Sequence, residues 1–288
     1  MKSDRAMAVT DHLHSSELPI VHRRRWGAWI FGAIALLIVV TIVQAAFQSR
    51  IINVEVFANY IFSPLIVMGA ANALILGTLA LFIASVIGFV AALMRVSGNP
   101  ILVVISATYV YLFRGTPMLI QLIFWFNAVP IMFPSITISL PFMAEPLVSA
   151  PTTTIVTPFL AALAGLSLAE GAYMSEIIRA GILAVDKGQR AAATALGMTR
   201  RQVLVQVVIP QAGRIIIPAA GNQYIMLLKS SSLASAIGYL ELLRVATDIY
   251  SSNFHVVELL AVAAFWYLVM TAFATAIQTI LEKVFPQR

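Results

Sequence analysis

Long apolar runs recur along the chain and predict membrane-crossing helices. Six runs cover residues of about 27–47, 64–94, 101–133, 158–183, 203–228 and 256–281. Several exceed the roughly 18 apolar residues that mark a membrane span. Arg114-Gly115-Thr116-Pro117 interrupts the third run, which is typical of a broken helix. Irregular backbone at membrane depth is tolerated only where it lines a cavity or is buried in protein, so we expect one of these roles at the interruption.

The segments between these runs divide the chain. Residues 1–26 are polar and mixed, and they predict a disordered cytoplasmic tail. A signal peptide is the alternative interpretation of the run at 27–47. The run is long for a signal peptide and no Ala-x-Ala cleavage site follows it, so we expect a retained span. Residues 134–157 are rich in proline, threonine and serine and predict a loop. No internal repeat separates the core at 64–288 into two domains.

Composition excludes several classes of protein. Hydrophobic residues make up 60% of the chain and charged residues 10%, with a mean hydropathy of +0.93. A soluble domain carries about 25% charged residues, so lipid must be part of the solvent of this chain. There are no cysteines, which excludes disulfides and thiolate metal sites, and we predict no metal site. No His-Glu-x-x-His or Gly-x-Ser-x-Gly pattern supports an intramembrane enzyme.

Basic residues set the predicted orientation. The net charge is +6, and most basic residues stand next to the ends of spans, which favours the positive-inside rule over nucleic-acid binding. With both termini in the cytoplasm, the opposite side receives only Arg50, Lys229 and Arg244. The cytoplasmic side then receives Lys2, Arg5, Arg23, Arg24, Arg25, Arg95, Lys187, Arg190, Arg200, Arg201, Lys283 and Arg288.

The basic segment at about 184–202 carries the most information. Residues 191–196 are strong helix formers, Gly197 can end that helix, and a second helical run follows to Pro210. Physical chemistry alone favours equally a loop without a binding role and a helix that docks on a partner.

This segment resembles the EAA loop of ABC importer permeases, which is Glu-Ala-Ala, three residues, Gly, nine residues and Ile-x-Leu-Pro. Ala191-Ala192-Ala193 stands at the Glu-Ala-Ala place, and Val207-Val208-Ile209-Pro210 at the ending. The polar amino acid branch of the family also has counterparts of Phe113-Arg114-Gly115-Thr116-Pro117, of Ala172-Tyr173-x-x-Glu176-Ile177-Ile178-Arg179 and of Leu228-Lys229-x-x-Ser232-Leu233.

The resemblance implies an all-α integral membrane protein of about six transmembrane helices. Five would form the core of a type I ABC importer, similar to the methionine permease, with an added N-terminal helix. The implied function is that of a non-catalytic inner-membrane subunit that carries a polar amino acid or related solute. The implied coupling residues are Gly188, Gln189, Arg190, Ala191, Ala192, Ala193, Gly197, Met198, Arg200, Arg201 and Pro210.

The resemblance also implies partners: ATPase subunits, a second permease subunit that is identical or homologous, and an extracytoplasmic binding protein. The chain has no Gly-x4-Gly-Lys-Ser/Thr phosphate loop, so ATP and Mg²⁺ are expected on the ATPase and no cofactor on this chain. One departure matters, because Ala191 replaces the family's glutamate. Arg190, Arg200 or Arg201 is expected to supply the missing partner contact.

Ionisable residues within the spans are candidates for the translocation path or its gate. Glu170 either lines the substrate path with Tyr173 or ties two helices together. Glu176 and Arg179 form either a structural ion pair or a gate. Lys229 either reaches the membrane interface or gates. Arg114, Gly115 and Pro117 lie at the broken helix and are expected to line the path. An ion-coupled secondary transporter or channel is the alternative function, although the paired broken helices of that class are not evident.

Overall fold

The computed structural model describes residues 26–48, 53–138 and 148–285, which fall into two units, Met1–Ile52 and Asn53–Arg288. In the first unit, helix α1 spans Trp26–Gln48 and coincides with the first predicted span. The predictions made for residues 1–25 lie outside the described residues.

Helices form almost all of the described part of the second unit. In chain order, the first six are α2 (Val54–Ile61), α3 (Pro64–Val96), α4 (Pro100–Gly115), α5 (Met118–Met132), α6 (Thr152–Ile155) and α7 (Pro158–Ala184). The remaining helices are α8 (Lys187–Ala195), α9 (Arg200–Ile237), α10 (Leu242–Asn253) and α11 (Val256–Val284). Strands β1 (Ser135–Ile138) and β2 (Val148–Pro151) pair antiparallel, with Ser135 opposite Pro151.

Three helices of the described residues are long and apolar enough to cross a membrane: α3, α9 and α11. The bent pair of α4 and α5 adds a fourth if it is one span. Helix α7, the fourth predicted span, falls outside this set although it has 27 residues. It carries small and charged residues because protein rather than lipid surrounds much of it. Fourteen of its residues are buried, against 11 of 33 in α3 and seven of 29 in α11.

Helix α7 therefore forms the centre of the bundle and crosses α3 very closely. A Cβ on Gly88 would lie 2.6 Å from Met174 Cβ, 2.8 Å from Ser175 N and 2.9 Å from the Gly171 carbonyl oxygen. A Cβ on Gly171 would lie 2.6 Å from the Tyr109 hydroxyl. Without a hydrophobic force between helices in lipid, such close backbone contact supplies the packing that holds them together.

Helices α5 and α9 each contain a widened π-helical turn, and each such turn precedes a proline. In α5 the turn is Phe124–Ala128 and Pro130 follows; in α9 it is Val203–Val208 and Pro210 follows. Proline lacks an N–H and its ring clashes with the carbonyl four residues earlier, so a wider turn lets each helix continue. The fifth predicted span, 203–228, is thus the middle of a longer helix that ends as a 3₁₀ helix at Ser231–Ile237.

Three regions of the described chain depart from the sequence predictions. The predicted loop at 134–157 contains the β1–β2 hairpin and α6, and the strands were missed because their proline-containing pattern is typical of a loop. Helix α2 was not predicted, since its eight residues are too few to span a membrane. Helix α10 lies between the fifth and sixth predicted spans, where no helix was predicted.

Candidate functional site

The break in the third predicted span is a sharp corner. Helices α4 and α5 are bent by 102° across Thr116 and Pro117, both of which have extended backbone. The Gln121 side-chain amide donates to the Phe113 carbonyl (2.9 Å), the Thr116 carbonyl (3.1 Å) and the Thr116 hydroxyl (2.8 Å). This one buried side chain satisfies carbonyls that the ending helix leaves free. The motif at 113–117, one of those that carry the sequence resemblance, is therefore a corner held by hydrogen bonds.

Arg114 lies on this corner beside a cavity of about 490 Å³, which we call the Arg114 cavity. Helices α3, α4 and α7 line it with Arg95, Ala107, Val110, Tyr111, Arg114, Gly115, Tyr173 and Glu176. The Arg114 guanidinium carbon stands 5.0 Å from the centre of the Tyr173 ring, within the range of a cation–π contact. Four of the residues predicted for the path are thus brought together: Arg114, Gly115, Tyr173 and Glu176.

Glu176 is the acidic member of this cavity and is already paired. One carboxylate oxygen accepts from Arg179 Nη2 at 2.7 Å and from Arg179 Nε at 3.1 Å. The other lies 3.6 Å from Arg95 Nη1. Among the described residues, Arg114 has no carboxylate within salt-bridge distance. The cavity therefore holds an arginine whose charge the surrounding protein does not neutralise by pairing.

Glu170 lies elsewhere on α7 and lines neither the Arg114 cavity nor a larger apolar cavity of about 620 Å³ beside Met174. Its side chain is only 2% exposed, and the Gln223 side chain on α9 lies near it. Its Oε1 has no hydrogen-bond partner among the described residues. Tyr173, expected to line the path with Glu170, lines the Arg114 cavity, whereas Met174 lines the apolar one. Burial and one free acceptor are thus combined in a single carboxyl group.

Two other predicted path residues lie apart from the Arg114 cavity. Pro117 belongs to the corner but does not line the cavity. Lys229 is exposed in the last α-helical turn of α9, just before the 3₁₀ segment. Its backbone carbonyl accepts a hydrogen bond from the Ser232 hydroxyl at 2.8 Å.

The segment at 184–202 folds as a short helix, a glycine turn and the start of α9. Asp186 begins α8, and its Oδ1 accepts from Gly188 N (2.6 Å) and Gln189 N (3.3 Å). Gly197 ends the helix at φ +81°, a conformation that residues with a side chain rarely adopt. Gly197 N donates to the Thr194 carbonyl and Met198 N to the Ala193 carbonyl, the paired bonds of a Schellman motif.

Helix α9 begins at once after this turn. Thr199 and Gln202 form a reciprocal capping box, in which each side chain accepts from the other residue's backbone N–H. Met198 and Val203 bracket that box and pack into the same apolar cluster as Ala193. Leu196 remains 83% exposed at the tip. We call residues 196–199 the Gly197 turn.

The alanines and arginines of this segment are placed differently. Ala191 and Ala192 are exposed, whereas Ala193 is buried against the bundle. Arg190 turns back and donates from Nη2 to the Ile182 carbonyl in the last turn of α7. Arg200 and Arg201 are exposed in the first turn of α9, and Pro210 lies within that helix. Arg190 is therefore occupied within its own chain.

Sequence reasoning missed a buried carboxylate outside the spans. Glu241 is fully buried and begins α10, accepting from Leu243 N (2.9 Å), Arg244 N (2.8 Å) and the Tyr267 hydroxyl of α11 (2.7 Å). Burial raises the pKa of Glu241 above its usual range, against the lowering effect of these donors. The sequence gives little signal for it, because glutamate is not among the preferred N-cap residues.

The family model for the binding-protein-dependent transport system inner membrane component matches residues 84–285. The chain belongs to this family. The permease is 38% identical over 263 residues to the arginine transport system permease protein of Corynebacterium glutamicum, covering 91% of this chain and 81% of that relative. It is 32% identical to the glutamine transport system permease protein of Escherichia coli strain K12, covering 76% and 92%.

Solved structures agree with the family. The permease superimposes on a chain of an amino acid ABC transporter crystallised with histidines with a TM-score of 0.68 and 33% identity, covering 81% of this chain and 98% of that one. The MetNI methionine ABC transporter in an inward-facing conformation gives 0.63 at 17% identity, over 77% and 97%, and shows the fold. The permease is therefore the non-catalytic membrane subunit of an ATP-driven importer for a polar amino acid or related solute.

Proposed function

We propose that the Arg114 cavity is part of the substrate path and that Arg114 takes the substrate's α-carboxylate. The observation that carries this proposal is the unpaired guanidinium at the corner, held against Tyr173. Relatives are named for arginine, glutamine and L-cystine, which differ in their side chains but share an α-carboxylate. An arginine fork recognises a carboxylate through two parallel hydrogen bonds, so a single site could serve this whole class.

Glu170 adds a second part to this proposal. We infer that its free oxygen recognises a cationic group of the substrate when the helices rearrange during transport. The unpartnered Oε1 supports this role, as does the name of the arginine permease among the relatives. Glu170 lies three residues before Tyr173, and residues at this spacing are neighbours on a helix surface.

The third part concerns coupling and assembly. We propose that α8 and the Gly197 turn dock on an ATPase subunit, with exposed Leu196, Ala191 and Ala192 facing it. Two permease subunits, two ATPases and a binding protein would form the complete importer. ATP would close the ATPase pair, draw the two docking helices together and rock the spans from inward-facing to outward-facing.

The orientation follows from the basic residues, and both termini are proposed to lie in the cytoplasm. Because the chain contains no cysteine, single cysteines can be labelled without background. Ala195→Cys should react with a membrane-impermeant maleimide only from the cytoplasmic side, and Ser252→Cys only from outside. Both positions are exposed and lie on opposite sides of α9 in the chain. The reverse labelling pattern would refute the orientation.

The carboxylate proposal is tested on the permease purified with its ATPase subunits and without the binding protein, so that only the membrane site is measured. Calorimetry compares L-arginine with agmatine, which lacks the carboxylate, and glutamine and cystine are added as further probes. Arg114→Gln should weaken amino acid binding about tenfold or more, because it removes a hydrogen bond to a charged group. Agmatine binding should not change.

Arg244→Gln is the matched control. It also removes one arginine charge, but Arg244 pairs with Asp248 at 2.9 Å and does not line the cavity. The proposal fails if Arg114→Gln binds amino acids as tightly as the unmodified permease, or if Arg244→Gln weakens binding to the same extent.

A further inference from the structure

A second arginine-lined cavity lies on the inner side of α8. Its volume is about 470 Å³, and its basic residues are Arg190 of α8 with Arg200 and Arg201 of α9. Leu196 and Ala191, on the exposed side of the docking segment, do not line it. The cavity thus lies apart from Leu196 and Ala191, and it shares no residue with the Arg114 cavity.

Arg190 is held in this cavity with part of its hydrogen-bonding capacity unused. Its Nη2 donates to the Ile182 carbonyl, which fixes the guanidinium against the end of α7. Its Nε is buried and has no partner among the described residues. A buried donor without a partner costs free energy, so an acceptor at this position would stabilise the site.

The remaining walls are mostly apolar and contain no carboxylate. Leu93 and Val96 come from the end of α3, Ile182 from the end of α7, and Val203, Leu204 and Val208 from the start of α9. Asp186 is nearby in the chain, but it does not line the cavity, and its Oδ1 accepts from two backbone N–H groups of α8. Three cations therefore stand beside apolar walls that belong to three long helices.

We propose that this cavity binds the phosphate group of an anionic phospholipid, with an acyl chain along the apolar wall. Guanidinium groups suit phosphate oxygens, and anionic lipids attract basic clusters at the cytoplasmic surface. The apolar walls favour a lipid over an acidic side chain of a protein, which would bring only one or two methylene groups. The proposal rests on the proposed orientation. The lipid would lie between α8 and the ends of α3 and α7.

The test uses the complete permease–ATPase complex, stripped of lipid in a neutral detergent and analysed by native mass spectrometry. Phosphatidylglycerol, phosphatidylcholine and inorganic phosphate are added separately at equal concentration. The complex should retain phosphatidylglycerol about tenfold more than either of the others. Arg190→Gln and the double variant Arg200→Gln/Arg201→Gln should each lose that preference by about tenfold. Arg244→Gln should retain it.

The double variant keeps the test decisive if Arg190→Gln does not assemble, because Arg200 and Arg201 are exposed. Unchanged phosphatidylglycerol retention in the double variant would overturn the proposal. Inorganic phosphate binding as tightly as the lipid would also overturn it, in favour of a free-anion site. Loss of the ATPase with the lipid still bound would assign the arginines to a protein contact instead.

Failure here is distinguishable from failure of the proposed function. Arg114→Gln should leave phosphatidylglycerol retention unchanged, whatever it does to amino acid binding. If the orientation test labels Ala195→Cys only from outside while the complex still retains phosphatidylglycerol, the lipid site stands but lies in the opposite leaflet.

Discussion

The α3–α7 crossing and the Gly197 turn are stabilised in opposite ways. At the crossing, Gly88 approaches Gly171 and Met174, more than 80 positions away, so closely that no side chain fits. In the turn, every hydrogen bond that we describe joins residues no more than five positions apart. The comparison teaches that the centre of the bundle depends on distant backbone contact, whereas the docking segment folds from its own short sequence.

The largest effect is expected at the crossing. Gly88→Val places a branched side chain against the backbone of α7, which must move, and should cost more than about 3 kcal/mol in the free energy of unfolding. Most of the permease should fail to assemble, as measured by fluorescence-detected gel filtration of the detergent extract. Gly213→Val is the control, since nothing lies within 4 Å of a Cβ added at that position and assembly should be normal. Equal assembly of both variants would contradict the close crossing.

The second effect separates folding from transport. Gly197→Pro cannot adopt φ +81° and loses the N–H that bonds Thr194, so the turn should not form. Because the turn is local, we expect normal membrane levels but no uptake in cells. Gly197→Asn should keep most uptake, since asparagine tolerates a left-handed backbone. Full uptake by Gly197→Pro at normal levels would show that the turn does not set the docking geometry.

The third prediction concerns Glu170, which is next to Gly171 in the crossing. Glu170→Gln keeps the size of the side chain and removes its charge, so assembly should be normal while affinity for L-arginine falls about tenfold. Binding to the purified complex measures the affinity, and glutamine binding should change little. A silent Glu170→Gln, with Glu170→Leu lowering the amount of complex, would make Glu170 a helix tie only.

The smallest effect is expected at the start of α8. Asp186→Ala removes the N-cap and should destabilise α8 by about 1 kcal/mol. Amide hydrogen exchange of residues 188–195 should then be about fivefold faster, with no change in the crossing. Asp186→Asn should restore protection. A change that spread into α3 and α7 would contradict the local character of the segment.

The same contrast explains what could be predicted from the sequence. Apolar runs located the long helices, and Gly197 located the end of α8, because both signals are contained in consecutive residues. The partners of Gly88, the capping role of Glu241 and the amide of Gln121 at the corner could not be inferred, since each depends on residues brought together by folding. The Arg114 cavity was anticipated only in part: Arg95, which completes it from α3, had been assigned to a span end.

The corner between α4 and α5 has a mechanical consequence. Gln121 on α5 reaches across the bend and donates hydrogen bonds to Phe113 of α4 and to Thr116 at the corner, so the angle between the two helices is stiffened. A stiff corner transmits a displacement of one helix as a rotation of the other, whereas a flexible corner would absorb the displacement by bending. Arg114 stands at this corner, where a small rotation of either helix would change the direction of its guanidinium.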